Sequence, residues 1–277
     1  MNIDVRPVSP ALGAEVVGVD LSQLNDKTFG LVHDALMAHQ VLFFYDQDLS
    51  TVQHISLAQR FGEVEPPHPM FPHVEGEPRV SLLKNDRENP PFNDNWHTDV
   101  TFKESPPMGV VLRCVQTPDV GGDTIWSSMT AAYDSLSKQM QDLLSGLNAV
   151  HDFATGFRKS KLQRDDFEER LQKAATENPP VTHPVVRRHP ATGRLGLFVN
   201  SGFTSHVEGL PREESDSLLA MLYAHVQRPE FQVRFRWQKN AVAIWDNRCT
   251  QHYALGDYYP ATRIMHRVTI LGDRPVH

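Results

Sequence analysis

Ala241-Val242-Ala243-Ile244-Trp245-Asp246-Asn247-Arg248-Cys249-Thr250-Gln251-His252-Tyr253 starts as an unbroken apolar run and ends in polar residues. Five apolar residues in a row are too short for a helix and read as a buried strand. The polar tail then reads as the strand end, with His252 on it. Runs of the same kind recur on both sides: Val41-Leu42-Phe43-Phe44-Tyr45, Val80-Ser81-Leu82-Leu83, Gly109-Val110-Val111-Leu112, Thr124-Ile125-Trp126, Leu197-Phe198-Val199 and Val268-Thr269-Ile270-Leu271. Many short strands interrupted by a few helices predict a β-sandwich or jelly roll carrying outer helices.

The helices are read from spacing. Phe29, Val32 and Leu36 predict one that runs to His39. Ser50-x-x-Gln53 matches a capping box, Val52, Ile55 and Ala58 continue its apolar face, and Gly62 is the expected stop. Tyr133, Leu136, Met140, Leu143, Leu144 and Leu147 predict a helix over about 130–145, and Leu218, Leu219, Leu222 and Val226 another over 212–227, ended by Pro229. The polar stretch from Arg158 to Pro180 is the expected excursion from the β core, as a lid or an exposed helix.

Composition narrows the function classes. The chain has 277 residues, 40% of them hydrophobic, and a formal net charge of −7 from 27 basic and 34 acidic residues. No basic stripe invites nucleic acid or a membrane surface. Two cysteines, Cys114 and Cys249, form no disulfide framework, and no run approaches the roughly 20 apolar residues of a transmembrane helix. The expectation is a cytoplasmic enzyme without nucleic-acid or membrane partners, and a dimer or tetramer by the usual preference for symmetric homo-oligomers.

Trp96-His97-Thr98-Asp99 carries the chemistry. On a strand or strand end, residues i and i+2 project to one side, so one metal can touch both His97 and Asp99. His252 is a candidate third ligand. Two imidazoles and a carboxylate form the facial set that leaves half of an iron's coordination positions open. Alone, a His-x-Asp pair is more often a surface pair than a metal site. Cys249 could be offered as a ligand, but reads better as a small buried thiol.

Asn-Trp-His-Thr-Asp-Val-Thr-Phe (95–102), Gly-Gly-Asp-Thr-Ile-Trp (121–126), Trp-Asp-Asn-Arg (245–248), Thr-Gln-His-Tyr-Ala (250–254) and Arg-Ile-Met-His-Arg-Val-Thr-Ile-Leu-Gly-Asp (263–273) resemble the taurine dioxygenase family of Fe(II)/2-oxoglutarate oxygenases. The resemblance runs from Gly13-Ala14-Glu15 to the C-terminus. It implies one dioxygenase domain over 1–277, mainly β, with a double-stranded β-helix (jelly-roll, cupin-like) core, flanking helices and an insertion or lid around 155–182. It implies His97, Asp99 and His252 as iron ligands, O2 as co-substrate, and Thr124 and Arg263 as the partners of the distal 2-oxoglutarate carboxylate. A guanidinium fork beside a hydroxyl suits a carboxylate.

The family pattern also marks a substrate pocket. Arg267, on the same face of a strand as Arg263 and roughly 13 Å from it, would meet a sulfonate together with His68 and the Val100 N–H. Phe157 and Phe203 match pocket-lining positions. At the amine end of taurine the family has an Asn, a Tyr and a Ser. Here Asn93 matches, but Phe71 and Gly156 stand in the other two places. Both changes delete a hydroxyl, so the sulfonate end is retained while the far end is altered, and a bulkier or less cationic alkanesulfonate is expected in place of taurine. Hydroxylation next to sulfur would then release sulfite and an aldehyde, with succinate and CO2. Three alternatives stand beside this reading: a dioxygenase of alkyl sulfate esters or aryloxyalkanoates on the same metal centre, a zinc hydrolase, and a non-catalytic cupin-like binding protein.

Overall fold

The computed structural model describes residues 3–67, 71–91, 94–158 and 167–277, without the side chains of 156–158, 167, 168, 170, 171 and 174. The N-terminal part holds β1 (Asp4–Pro7), β2 (Ala14–Val17), α1 (Asp26–His39), β3 (Val41–Phe44), α2 (Thr51–Phe61), β4 (His73–Val74) and β5 (Glu77–Asn85). Next come β6 (Gly109–Gln116), β7 (Thr124–Ser128), α3 (Met129–Asp134), α4 (Lys138–Leu144), β8 (Asn148–His151), α5 (Phe153–Arg158) and α6 (Phe167–Glu177). The C-terminal part holds β9 (Val181–Pro184), β10 (Val186–Arg188), β11 (Leu195–Leu197), β12 (Thr204–Val207), α7 (Arg212–Val226), β13 (Gln232–Phe235), β14 (Val242–Asp246), β15 (Thr250–Ala254) and β16 (Arg263–Ile270).

Eight strands form one large sheet in the order β1-β2-β3-β14-β6-β16-β5-β4, and a three-stranded sheet, β13-β7-β15, packs across it. Alternation along each strand decides which core a side chain enters. From the large sheet, Phe43, Val110, Leu112, Cys114, Ala243, Trp245 and Met265 point inward and join Trp126, Val233 and Phe235 of the smaller sheet in one core. Their neighbours Leu42, Phe44, Val111, Ile244, Val268 and Ile270 point the other way and pack with Val32 and Leu36 of α1 and Ile55 and Ala58 of α2. Burial on both faces is why β3 and β14 are apolar at nearly every position. A third core, with Met129, Leu144, Leu219 and Leu222, joins the helices α3, α4 and α7. The result is the expected jelly roll with flanking helices.

The helix at Ser50 is capped as expected: Gln53 N–H donates to the Ser50 hydroxyl and the Ser50 N–H to the Gln53 side chain. Four expectations need correction. Val52 is 69% exposed, and the buried face of α2 is instead His54, Ile55, Leu57 and Ala58. The helix expected over 130–145 is two, broken at Ser135–Ser137, where the Ser137 hydroxyl caps α4 at Met140 N–H. Its apolar spacing survives the break because Tyr133, Leu136, Met140 and Leu144 all pack on the same core. The strand at Leu197-Phe198-Val199 ends at Leu197. His97 and Asp99 do not share a strand: His97 pairs with His252 in an isolated antiparallel bridge, and Asp99 opens a turn.

Candidate metal centre

The three proposed ligands meet. His97 and His252 exchange backbone hydrogen bonds, 3.1 Å from the His97 N–H and 2.8 Å from the His252 N–H, which sets their rings 4.2 Å apart. The next residues reverse direction. Thr98 anchors its hydroxyl on the Thr250 carbonyl at 2.9 Å, and Asn247 clamps Asp99 from both sides, accepting from its N–H at 2.9 Å and donating to its carbonyl at 3.1 Å. Val100 then takes φ 54°, a left-handed conformation that a β-branched residue adopts only where its surroundings impose it. The turn swings the Asp99 carboxylate back to 3.7 Å from His97 Nε2 and 4.0 Å from His252 Nε2.

The group fits a metal ion. Ligand atoms each roughly 2.1 Å from one ion lie at most about 4.2 Å apart, and these distances fall inside that bound. His97 Nδ1 lies 2.9 Å from the Asn95 carbonyl, so it carries the hydrogen and Nε2 turns a lone pair toward the Asp99 carboxylate. Two imidazoles and a carboxylate converging in a buried pocket leave a place for a cation between them. Burial pushes the His252 pKa down to about 3, helped by His97 and opposed by Asp99, so the imidazole stays neutral as a ligand must. The approach to His97 is tight: a Cβ on Gly202 would lie 2.9 Å from the His97 Cβ.

Two arginines face the same interior. In β16, Arg263, Met265 and Arg267 alternate with outward-facing residues, and both arginines are buried. Arg267 places a terminal nitrogen 3.1 Å from Asp99 Oδ2 and donates through Nε to the Thr269 hydroxyl at 3.2 Å. Arg263 has no carboxylate partner among the described residues, and its Nε is unsatisfied. It packs between Trp237, 5.8 Å away, and Tyr258, 6.0 Å away. Burial lowers its pKa. Arg263 donates a hydrogen bond to Tyr258, and the carboxylate charge that acts on it, Asp123, is already paired with Arg234 at 2.6 Å. A buried guanidinium with no direct ion pair is costly and marks a place for an anion. Thr124 lies at this end, its hydroxyl accepting from Trp237 Nε1 at 2.9 Å. That leaves its own hydrogen to donate.

The sequence reading missed Trp237, and it quoted Asn247 and Gly122 within motifs without giving them a role. Gly122 has φ 73° and a Cβ there would lie 3.2 Å from the Arg263 side chain, so the Gly-Gly pair before Thr124 was the available signal. Of the expected substrate-pocket positions, Val100 is buried and Phe203 and Phe71 are half-buried. Phe203 meets Phe102 edge-on at 5.1 Å. Gly156 and Phe157 lie on α5 with their side chains outside the description, and His68 and Asn93 fall outside the described residues. Cys249 does not join the triad. It sits, with its pKa pushed up by burial, in a separate group with His189 and Asp246.

The family model described as taurine catabolism dioxygenase TauD, TfdA family matches residues 4–269. This chain belongs to that family. An α-ketoglutarate-dependent sulfate ester dioxygenase of Pseudomonas putida is 40% identical over all of this chain and 92% of the relative, and an alkylsulfatase of Acinetobacter baylyi is 36% identical over 98% and 86%. The crystal structure of a taurine dioxygenase from Burkholderia xenovorans superposes with a TM-score of 0.86 at 36% identity, covering all of this chain and 91% of that one. The chain is therefore an α-ketoglutarate (2-oxoglutarate)-dependent dioxygenase, with Fe(II) and O2 as its other requirements and His97, Asp99 and His252 as its metal-binding triad. No described helix is long and apolar enough to cross a membrane.

Proposed function

We propose that this enzyme hydroxylates the carbon next to the anionic sulfur group of a small organosulfur compound. Arg263 and the Thr124 hydroxyl hold the distal carboxylate of 2-oxoglutarate. Arg267 holds the substrate anion, with the Val100 N–H as a second donor, and Phe203 and Phe71 line the pocket. The observation that carries this reading is the placement of two buried arginines on one interior face, one without a carboxylate and one beside a metal-ligating aspartate. Fe(II), which His97, Asp99 and His252 would hold, would supply the O2- and 2-oxoglutarate-dependent C–H hydroxylation.

The protein's own part is orientation and exclusion of water. Asp99 occupies one side of the Arg267 guanidinium, and its remaining N–H groups serve the anion, which fixes the adjacent carbon next to the triad. Val100, Phe102, Phe153 and Ala154 form an apolar cluster against which Phe203 and Ala175 pack. Such a wall offers an ammonium no acceptor and favours an uncharged tail.

For a sulfonate the product is a 1-hydroxysulfonate, which breaks its C–S bond to give an aldehyde and sulfite. The first reading from sequence was such a sulfonate. The names of the two relatives favour a sulfate ester, whose hydroxylated carbon collapses to an aldehyde and inorganic sulfate. A screen of alkyl sulfates, alkanesulfonates and aryloxyalkanoates with Fe(II), 2-oxoglutarate and O2 separates them: sulfate from the ester, sulfite from the sulfonate. Product from an aryloxyalkanoate, with neither sulfur anion released from any compound, would sink both.

A further inference from the structure

Just past Asp99, the chain enters a polar knot. Thr101 has no exposed surface. Its hydroxyl lies 3.0 Å from Asn200 Nδ2 and 2.9 Å from His151 Nδ1, and its carbonyl accepts from His183 Nε2 at 3.0 Å. His183 Nε2 also lies 2.9 Å from the Lys103 carbonyl, and Lys103 N–H donates to the Val100 carbonyl at 3.1 Å. Asn200 is fixed in turn, accepting from Phe203 N–H at 2.8 Å and donating its own N–H to Thr204 at 2.9 Å.

An amide nitrogen only donates, so the Thr101 hydroxyl accepts from Asn200, and it keeps a hydrogen and a second lone pair for His151 Nδ1. Burial holds His151 neutral, its pKa well below the ordinary histidine value. Three side chains from separate segments (His151 of β8, His183 of β9 and Asn200 of the loop before β12) therefore converge on one threonine. On the other side of the turn, Asn247 clamps Asp99. The residue between the two clamps is Val100, in its left-handed conformation, and no described residue accepts its N–H.

We propose that Thr101 is a positioning residue: through His151, His183 and Asn200 it sets the turn that aims the Asp99 carboxylate at the metal and the Val100 N–H at the substrate anion. The proposal rests on the metal reading of the triad. Core satisfaction alone would explain a hydrogen-bonded threonine. It does not explain why both polar groups of Thr101 are anchored one residue after a strained valine and two after a ligand.

The test uses the full chain, stripped of metal and titrated with Co(II), whose visible bands report ligand geometry. Thr101→Val keeps the shape and removes the hydroxyl, and Thr101→Ser keeps the hydroxyl. The expected result is Co(II) affinity about 10- to 100-fold weaker and altered bands in Thr101→Val, the range typical of groups that orient metal ligands, with recovery in Thr101→Ser. A destabilised but correctly aimed turn would lower the unfolding midpoint and leave the affinity of the folded protein unchanged. That result overturns the proposal. If Thr101→Val does not fold, Asn200→Ala, which removes the donor to the hydroxyl, carries the same test. Absence of Co(II) binding in the wild type overturns the metal reading instead.

Discussion

His97–Asp99–His252 and His189–Asp246–Cys249 are built from nearly the same side chains, are both buried, and each bring three ligand atoms within 4.8 Å of one another. They differ in where the hydrogens are. In the second group Asp246 Oδ1 accepts from the Arg248 N–H and Nε, each at 2.9 Å, and Oδ2 accepts from Arg248 at 2.6 Å and His189 Nε2 at 2.9 Å. His189 Nδ1 accepts from the N–H groups of Ala191 and Thr192, so Nε2 carries its hydrogen. Both Asp246 oxygens and the His189 Nδ1 lone pair already accept hydrogens, and the Cys249 thiol points its own at the Asp246 carbonyl. In the first group, His97 Nδ1 is turned to the Asn95 carbonyl, so Nε2, 3.7 Å from Asp99 Oδ1, is the nitrogen that faces the carboxylate. Residue type makes a cluster eligible for a metal, and the hydrogen-bond inventory decides whether it can take one. The closed cluster still serves the open one. It sits at the turn from β14 to β15, where the Thr250 hydroxyl donates to the Asp246 carbonyl at 2.8 Å, and so places Asn247 and His252.

The largest expected difference between the clusters is functional. His252→Ala abolishes metal-dependent 2-oxoglutarate turnover while the protein still folds. Asp246→Ala strips the partner from a buried arginine and histidine and costs about 3–5 kcal/mol of stability, measured by urea unfolding. A titration of the wild type settles at one Co(II) per chain. A stoichiometry of two would break the contrast, because the Asp246 group would then be a second metal site.

Arg263 offers the next test, since it combines the features of both regions: buried, charged and without a carboxylate partner. Arg263→Leu raises the KM for 2-oxoglutarate by about 10- to 100-fold, the loss of a charged hydrogen bond worth roughly 1.5–3 kcal/mol. The same change leaves the ligand-free protein as stable as the wild type or more so, because a desolvated charge is gone. Lower stability with an unchanged KM would assign Arg263 to the core instead.

Acid separates the clusters by pH window. His252 titrates near 3 in the metal-free fold and near 6.5 unfolded, so the unfolded chain takes the proton first. Its contribution is full above about pH 6.5 and is lost as pH falls toward 3, by up to about 1.4 kcal/mol per unit. For Asp246, burial alone would raise the pKa, but Arg248 and His189 hold it far below the usual carboxylate range. Its contribution is intact above about pH 3.9 and is lost only below that value. Between pH 7 and 5, metal-free His252→Ala should therefore lose less stability than the wild type. Some slope remains from His54, which burial pushes down to about 4. Equal slopes in urea unfolding would mean that His252 does not titrate as a buried neutral group.

How much of this was legible in the sequence follows from the range of the forces involved. The inner strands of the large sheet, β3, β14, β6 and β16, were readable because burial on both faces leaves an unbroken apolar run, and the box at Ser50 because capping is local, whereas β1, β2 and β4 toward its edges carry no such run and were not read. The triad and the two arginines were visible as motifs, and the alternation in β16 put Arg263 and Arg267 on one face. The turn at Asp99–Val100 was not visible, because nothing in Thr-Asp-Val-Thr demands a left-handed valine. That conformation is imposed by Asn247 on one side and by His183 and Lys103 on the other. The partner of Asp246 was equally hidden: His189 lies 57 residues away and is chosen by packing.

Trp237 gives the smallest and sharpest test of the open end of the site. Its Nε1 hydrogen occupies one lone pair of the Thr124 hydroxyl, so that hydroxyl's own hydrogen is directed elsewhere. Trp237→Phe keeps an aromatic ring against Phe235, 5.0 Å away, and beside the Arg263 guanidinium. Only the donor is lost, and the hydroxyl becomes free to rotate. With the net worth of one such hydrogen bond at about 0.5–1.5 kcal/mol, 2-oxoglutarate affinity should fall roughly 2- to 10-fold. The metal affinity should not move, because Trp237 touches no ligand. If the 2-oxoglutarate affinity also stays unchanged, the Thr124 hydroxyl is not a carboxylate donor, and Arg263 must hold that end without it.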